Sequence, residues 1–364
     1  MATIKQYAER ARRTQRWHHA PIRRPASADR AIAIDARAAV RPELGGVERW
    51  ARELCVRLPE LRPGGYEVLA PPRALAHRAG HAWEQTVLPL RARRAAALLC
   101  PANLAPVGFP RTVVVLHDAA PLRHPGWYSR GYAAWQRRLL PRIARSALRV
   151  ITVSAFSRAE LVELLDLAPE RVTIVPGGVD PSFAPDAHAD LARAALGLAR
   201  PYVLCVASHT ARKNLGALAP AAAALAAMGI DVVVAGGHRP QFAAEQGLEA
   251  LRLVGHVPDE LLPGLYAGAE AFVLPSRYEG FGLPVLEAMA CGTPVVAADT
   301  SALPETCGGA ARLVPPDGEA VRDALTALLG DAAERDRLRA AGLARAAHFS
   351  WDATARGVDA VLNP

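Results

Sequence analysis

The sequence predicts an α/β protein of two domains, each carrying a parallel sheet covered by helices. Three observations predict it. Short β-branched runs alternate with Ala/Leu/Arg-rich helical stretches along most of the 364 residues, the order expected of strand–helix–strand units. Several of those runs are apolar at successive positions, as strands read when helices cover both sheet faces. A turn-rich segment, Pro176–Pro185, interrupts the series, and a second series opens after Pro201.

Taken in order, residues 1–30 hold eight basic residues against Glu9 and Asp29, which is +6 of the chain's formal +8. Pro21 and Pro25 break regular structure there, so a basic extension is expected, able to touch an anionic membrane surface by charge. The remaining body carries only +2 and reads as nearly neutral, which gives no ground for a nucleic-acid partner. The first domain, residues 31–190, takes its strands from Ala31–Asp35, Thr112–Leu116, Val150–Val153 and Val172–Val175. The second, residues 191–345, takes Tyr202–Ala207, Asp231–Ala235, Ala271–Leu274 and Pro294–Ala297. In Phe349-Ser-Trp351, Ser350 is placed to start a last helix within residues 346–364. Ligands of parallel sheets bind beyond the carboxyl ends of strands, and a central cleft between two such domains is the expected site. Five separated cysteines with no CxxC spacing read as reduced, buried thiols. No apolar run reaches a spanning length and no signal-peptide core is seen, so a cytoplasmic chain is expected.

The most informative stretch is Ala271–Val296. A strand ends near Leu274, and the loop Pro275–Leu283 holds Glu279, Gly280, Phe281 and Gly282. Pro284 suits the first turn of a helix, where its missing N–H is harmless, and Gly292 and Pro294 stop that helix. The free N–H groups of such a helix start stabilise phosphate, and glycines let backbone approach a ligand. Glu279 in the loop and Glu287, expected in the first helical turn, are oddly placed beside phosphate unless sugar hydroxyls donate to them. A structural turn with an acidic residue favoured by the helix dipole fits the same residues.

This segment resembles the signature of the family 4 glycosyltransferases, retaining enzymes with the two-Rossmann-domain B-type fold. Glu279 and Glu287 match the family's glutamate pair, with Gly-Phe-Gly-Leu-Pro intact between them. The resemblance implies that Glu279 and the loop Gly280–Leu283 contact the hexose of the donor, and that Glu287 binds the ribose hydroxyls. Ser208-His-Thr-Ala-Arg-Lys-Asn214 follows a strand and precedes a helix expected near Leu215. Cations there would stabilise a departing diphosphate. By resemblance Lys213 is the diphosphate-binding lysine. Relatives often carry a Gly-Arg pair where this chain has Ala207-Ser208, which leaves Arg212 either as its substitute or as a solvated charge.

In the first half, His117 and Asp118 end an apolar strand. A histidine there can be structural; by resemblance it meets the transferred sugar from the acceptor side. Asp118 is expected on the acceptor side, organising the loop or the acceptor pocket. Gly45-Gly46 resembles the family's first glycine loop near the donor phosphates or acceptor, Asn103 is a candidate acceptor contact, and Val257 is expected beside the base. The likeness spans roughly residues 31–350, and in relatives the last helix crosses back to the first domain. It implies transfer of a hexosyl unit, mannosyl from GDP-mannose first, with rhamnosyl or glucosyl transfer close behind, to an acceptor hydroxyl in polysaccharide or glycolipid synthesis. The configuration would be retained, with no metal and no cofactor besides the donor. An NDP-sugar epimerase or hydrolase of the same fold, and a non-catalytic nucleotide-sugar-binding protein, are the alternatives. A lipid-linked acceptor would place the enzyme peripherally on the cytoplasmic membrane face and give the basic extension a role.

Overall fold

The computed structural model describes residues 31–41, 45–72, 80–237 and 248–364. The expected extension at residues 1–30 lies outside them. The chain forms two compact units. One comprises the described residues through Leu122 together with Ala134–Gly178 and Trp351–Pro364; the other comprises Arg123–Ala133 and Val179–Ser350.

The first unit is a six-stranded, wholly parallel sheet of β1 (Ile32–Asp35), β2 (Tyr66–Leu69), β3 (Leu98–Cys100), β4 (Thr112–Val115), β5 (Arg149–Thr152) and β6 (Val172–Ile174). Their spatial order is β2-β1-β3-β4-β5-β6. Helices α1 (Gly46–Leu61), α2 (Gly80–Ala92), α3 (Ala120–Arg123), α4 (Arg130–Ser146) and α5 (Ala155–Leu165) connect them. Trp83, Leu88, Leu140, Ile143 and Ala144 enter one buried core over this sheet. β1 and β4 are buried at every position, as unbroken apolar runs require. Ser154 caps α5 through its hydroxyl, which accepts from the Ser157 N–H at 3.0 Å.

The second unit repeats the plan with β7 (Tyr202–Val206), β8 (Asp231–Ala235), β9 (Arg252–Gly255), β10 (Ala271–Leu274), β11 (Val295–Ala298) and β12 (Arg312–Val314), ordered β12-β11-β10-β7-β8-β9. Its helices are α6 (Ala189–Ala195), α7 (Ala219–Ala227), α8 (Leu262–Ala267), α9 (Leu283–Ala290), α10 (Leu303–Cys307), α11 (Gly318–Gly330) and α12 (Ala332–Ala346). Read from β7, this is the doubly wound order whose direction reverses between β7 and β10. Ligands of such sheets gather at the strand ends flanking that reversal. Residues 179–190, expected with the first domain, pack here: the Val179 N–H donates to the Phe349 carbonyl at 3.1 Å, and Phe183 meets Tyr266 edge-on.

The last helix, α13 (Trp351–Leu362), packs with α1 in the first unit. Asp352 pairs with Arg57, and Asp359 accepts from Arg62 Nη2 at 2.8 Å and from the Tyr66 hydroxyl. Four strands lay outside the sequence expectation. β2, β9 and β12 are edge strands of three or four residues, only partly buried, so they lack the continuous apolar signal. β3 lies inside the sheet, but its Leu98-Leu-Cys100 continues the Ala95–Ala97 run and reads as helix.

Candidate functional site

In the second unit, the loops leaving β7 and β10, the two strands at the reversal, bring the predicted lysine and first glutamate together. Lys213 Nζ donates to Glu279 Oε1 at 2.5 Å, and the Ser276 hydroxyl donates to the same oxygen at 2.7 Å. Both charges are almost fully buried, Lys213 at 8% and Glu279 at 5% exposure. Burial alone would raise the glutamate's pKa; Lys213 and Arg212 outweigh it and hold the carboxylate below its usual range. Burial, reinforced by Arg212, pulls the lysine below its ordinary value while Glu279 opposes it. Arg212 thus acts on both partners through its charge, and its carbonyl accepts the Arg277 N–H at 2.9 Å, tying the two loops together. Sequence reasoning placed Lys213 and Glu279 on separate parts of a donor; here they neutralise one another.

The Glu279 loop is fixed from below. Its N–H donates to the Ser301 hydroxyl at 2.8 Å, and Thr300 Oγ1 donates to the Ser276 carbonyl at 3.0 Å. Gly280 is buried beside Glu279. The Phe281 ring packs edge-on against Phe349, and its carbonyl accepts from Thr306, which makes the side chain a packing element. Gly282 has φ +93°, and a Cβ there would lie 2.7 Å from the Leu303 side chain; the turn into α9 therefore demands glycine. Leu283 is the first residue of α9 and Pro284 the second, as the sequence requires. The expected place of Glu287 in the first turn of this helix is corrected. Glu287 is the fifth helical residue, past the first turn, 4% exposed, and accepts from the Tyr266 hydroxyl at 2.9 Å. Tyr266 itself is fully buried against Phe272 and Phe183. Val257 is buried in the core of this unit, just beyond β9.

Asn214 is the residue that sequence reasoning missed. Expected only as part of a helix start, it sits at φ +55° ahead of a 3-10 turn, Leu215–Leu218; α7 begins at Ala219. Its buried amide donates to the carbonyls of Pro275 (3.0 Å) and Pro316 (2.8 Å). Asparagine tolerates this left-handed backbone better than most residues, and the amide anchors the lysine loop to the glutamate loop. Asn214→Ala is expected to destabilise this unit by about 3 kcal/mol, from one buried and one partly buried carbonyl left without this donor and a strained backbone. Asn214→Gly relieves the strain alone and should recover about 1 kcal/mol of that; urea unfolding of the two variants checks the difference.

A second feature was missed because its parts are far apart in sequence. The Arg123–Ala133 segment carries His124, stacked on Trp127 at 4.0 Å, and both rings meet Tyr278 at 5.7 and 6.4 Å. Tyr278 immediately precedes Glu279. The available signal was aromatic density: three of the chain's twenty Phe, Trp and Tyr residues lie between positions 127 and 132.

In the first unit, His117 follows β4 at 8% exposure. Its Nε2 lies 3.0 Å from the Pro101 carbonyl. A carbonyl only accepts, so this nitrogen carries the proton of the neutral ring. Burial lowers the imidazole pKa, against the Pro101 contact and the charges of Asp118 and Glu48. The Trp50 ring stands perpendicular to the imidazole with centroids 5.4 Å apart. Asn103, expected as an acceptor contact, has φ +62° and accepts the His117 N–H through Oδ1 at 2.7 Å; it holds the histidine's backbone. Asp118 accepts the Ala120 N–H at 3.0 Å, a bond local to the turn before α3. Gly45 precedes α1, and its N–H donates to Glu48 Oε2 at 3.0 Å. A Cβ on Gly46 would meet nothing within 4 Å, so packing among the described residues does not demand glycine there.

Also outside the sequence reading is a buried ion set at the end of β1. Arg37 Nε lies 2.8 Å from Glu84 Oε2, and the Arg37 N–H donates to Asp35 Oδ1 at 2.9 Å. Asp35, Arg37 and Glu84 are each at most 2% exposed. Burial first, then the Glu84 charge, pushes the Asp35 carboxyl up to about 7 against the pull of Arg37.

Comparison with known proteins follows the same division. The profile described as "Glycosyl transferases group 1" matches residues 200–331, and "Glycosyltransferase Family 4" matches residues 81–183. Over 257 residues the chain is 33% identical to the O-antigen chain mannosyltransferase B of Escherichia coli, covering 66% of this chain and 67% of that one. The chain belongs to the family 4 glycosyltransferases. An MMP alpha-(1->4)-mannosyltransferase of Mycolicibacterium hassiacum is 32% identical over 71% of this chain and 66% of its own length. For a D-inositol 3-phosphate glycosyltransferase of Frankia alni, 37% identical, the shares are 59% and 58%. Two solved structures share the glycosyltransferase fold. Sucrose-phosphate synthase from Thermosynechococcus elongatus has TM-score 0.72 at 21% identity, covering 92% of this chain and 98% of that one. WaaG, a glycosyltransferase involved in lipopolysaccharide biosynthesis, has TM-score 0.69 at 16% identity, with coverage of 91% and 99%. Among the described residues, no cluster of three His, Cys, Asp or Glu side chains is placed to hold a metal ion, and no helix is long and apolar enough to cross a membrane.

Proposed function

We propose that this glycosyltransferase moves a hexosyl unit, mannose from GDP-mannose, to an acceptor hydroxyl in cell-surface polysaccharide or glycolipid synthesis, with retention of configuration. The observation that carries this is the buried Lys213–Glu279 pair at the strand ends flanking the reversal of the second sheet. A buried ion pair is a weak source of stability, and its position is where an α/β sheet binds ligands. On donor binding, Lys213 exchanges Glu279 for the diphosphate and Glu279 turns to the hexose hydroxyls. The start of α9 faces phosphate with its amides, and Glu287, oriented by Tyr266, takes the ribose. Electrostatic stabilisation of the departing diphosphate is the main catalytic effect. His117, neutral and held through Nε2 and its backbone, is the acceptor-side group, supported by Asp118. The mannosyl choice is supported by the names of two relatives, the O-antigen mannosyltransferase and the MMP mannosyltransferase. A lipid-linked acceptor and attachment to the cytoplasmic membrane face belong to the same reading.

The test is a calorimetric panel of nucleoside diphosphates and their sugars, followed by a product assay with lipid-linked glycan acceptors. GDP-mannose is expected to bind most tightly and to be consumed only when acceptor is present. Donor turnover without acceptor would favour the epimerase or hydrolase, and binding without any transfer would favour a sensor.

A further inference from the structure

Trp127 differs from the rings around it. It ends a 3-10 turn, Pro125–Trp127, in which its backbone N–H donates to the His124 carbonyl and the Tyr128 N–H to the Pro125 carbonyl, each at 3.2 Å. Tyr128 and Tyr278 are buried, at 8% and 3% exposure, whereas Trp127 is half-buried and Pro125 and Gly126 beside it are exposed. His124 covers one face of the indole, 4.0 Å away with 27° between the planes, and Tyr278 meets the ring at 67°. Among the described residues no ring packs on the second face, and the indole Nε1–H has no hydrogen-bond partner. We propose, on the transferase reading given above, that Trp127, backed by His124 and resting on Tyr278, is a stacking subsite for a sugar ring of the acceptor. The acceptor is then a glycan recognised through its sugar, and neither a lipid phosphate nor a simple alcohol.

The chemistry of the two partners matches. A pyranose ring carries a face of C–H groups with a slight positive charge, which suits the negative face of an indole. Its rim of hydroxyl oxygens accepts from a donor such as Nε1–H. A ring that served only as filler would be enclosed, as Tyr128 and Tyr278 are. The turn is held by its two backbone bonds and by the His124 stack before any ligand arrives, so little ordering cost remains at binding.

Position selects the acceptor's ring over the donor's. Tyr278 is fixed on both sides: the Arg277 N–H donates to the Arg212 carbonyl at 2.9 Å, and the Glu279 N–H to the Ser301 hydroxyl at 2.8 Å. The indole therefore stands at the loop whose carboxylate and amides provide for the donor hexose. The base is assigned beside Val257, just past β9, and β9 lies three strand spacings from β10, about 14 Å across the sheet. The ring left to be held at the Tyr278 loop is the one that receives the hexose. In sequence the turn follows His117 and Asp118, the acceptor-side residues, through α3.

The test uses the full chain labelled with 5-fluorotryptophan, the Trp127 resonance being assigned by its loss in Trp127→Phe. Methyl glycosides of mannose, rhamnose, glucose and N-acetylglucosamine are titrated in with and without GDP, and at least one is expected to shift that resonance at millimolar concentration. In the transfer assay with lipid-linked glycans, Trp127→Leu should raise the acceptor KM roughly ten- to a hundredfold and leave GDP affinity unchanged. Trp127→Phe keeps a stacking face and loses the N–H, so its rise should be roughly three- to tenfold. Urea unfolding reports the fold of each variant separately. The proposal is overturned if no glycoside moves the resonance, or if farnesyl phosphate moves it as far as the glycosides do, which would make the ring a lipid contact. It is also overturned if GDP alone moves the resonance and Trp127→Leu weakens GDP binding, which would give the ring to the donor. Glycoside binding at Trp127 with no transfer of any sugar would count against the transferase reading and support the ring site. Transfer by Trp127→Leu at an unchanged acceptor KM would do the reverse.

Discussion

Lys213→Ala is expected to lower the transfer rate by about 10²–10³-fold, the usual effect of removing one preorganised group that stabilises developing charge, and to destabilise the second unit as well. The second effect follows from burial. With Nζ gone, Glu279 keeps only Ser276 and the more distant charge of Arg212 inside a water-poor loop. Removing one partner of a buried pair destabilises by about 3–5 kcal/mol, because the other charge remains uncompensated. Loss of activity in the single variant therefore has two causes, and a second substitution separates them. Lys213→Ala/Glu279→Gln removes the stranded charge, so unfolding in urea should show most of the stability restored, whereas transfer stays low because the diphosphate still lacks its cation. Nucleoside-diphosphate affinity, measured by calorimetry, should be weak in both. If the double variant regains transfer along with stability, Lys213 is a structural counter-ion to Glu279 and the catalytic role fails.

That experiment concerns a relation that the sequence could not display. The loop residues were legible one at a time, because a strand end, two glycines and a helix-starting proline are local signals. The strand order that makes β7 and β10 neighbours joins residues about seventy positions apart, and nothing local encodes that Lys213 and Glu279 share one hydrogen bond. Asn214 was hidden for a related reason. Its left-handed backbone and its two carbonyl partners, Pro275 and Pro316, exist only after three segments have come together. The reading of Glu287 missed narrowly: α9 starts at Leu283, directly after Gly282 at φ +93°, which makes Glu287 its fifth residue and carries it just past the first turn.

Apolar patterning worked where helices cover both sides of a strand and weakened at the edges. Eight strands were visible; the edge strands Tyr66–Leu69, Arg252–Gly255 and Arg312–Val314 were not, since a half-covered edge strand needs fewer apolar residues, and the central Leu98–Cys100 was hidden because it continues an alanine run.

The second large expected effect is a pH dependence set by Asp35. In the fold this carboxyl has its pKa raised from 3.8 to about 7, first by burial and then by Glu84. A raised value means that the folded state holds the proton more tightly than the unfolded chain. The associated stability is fully present below about pH 4 and is lost as pH rises through about 7. At roughly 1.4 kcal/mol for each unit of pKa difference, the loss over that interval is about 4 kcal/mol. Asp35→Asn keeps an oxygen for the Arg37 N–H and removes the titration, so its stability should stay flat where the wild type declines, and the variant should be the more stable protein at pH 8. Trp50, Trp83 and Trp351 are buried in this unit, so tryptophan fluorescence in urea at pH 5, 6, 7 and 8 reads the transition directly. Other titrating groups act on both proteins alike, which leaves the difference between them as the measure of Asp35. Equal slopes in the two would mean that Asp35 is ionised in the folded protein throughout, with Arg37 compensating two carboxylates at once. The Arg37–Glu84 pair would then be the group to replace, because the Arg37 guanidinium opposes the charge of Asp35 and pairs with Glu84.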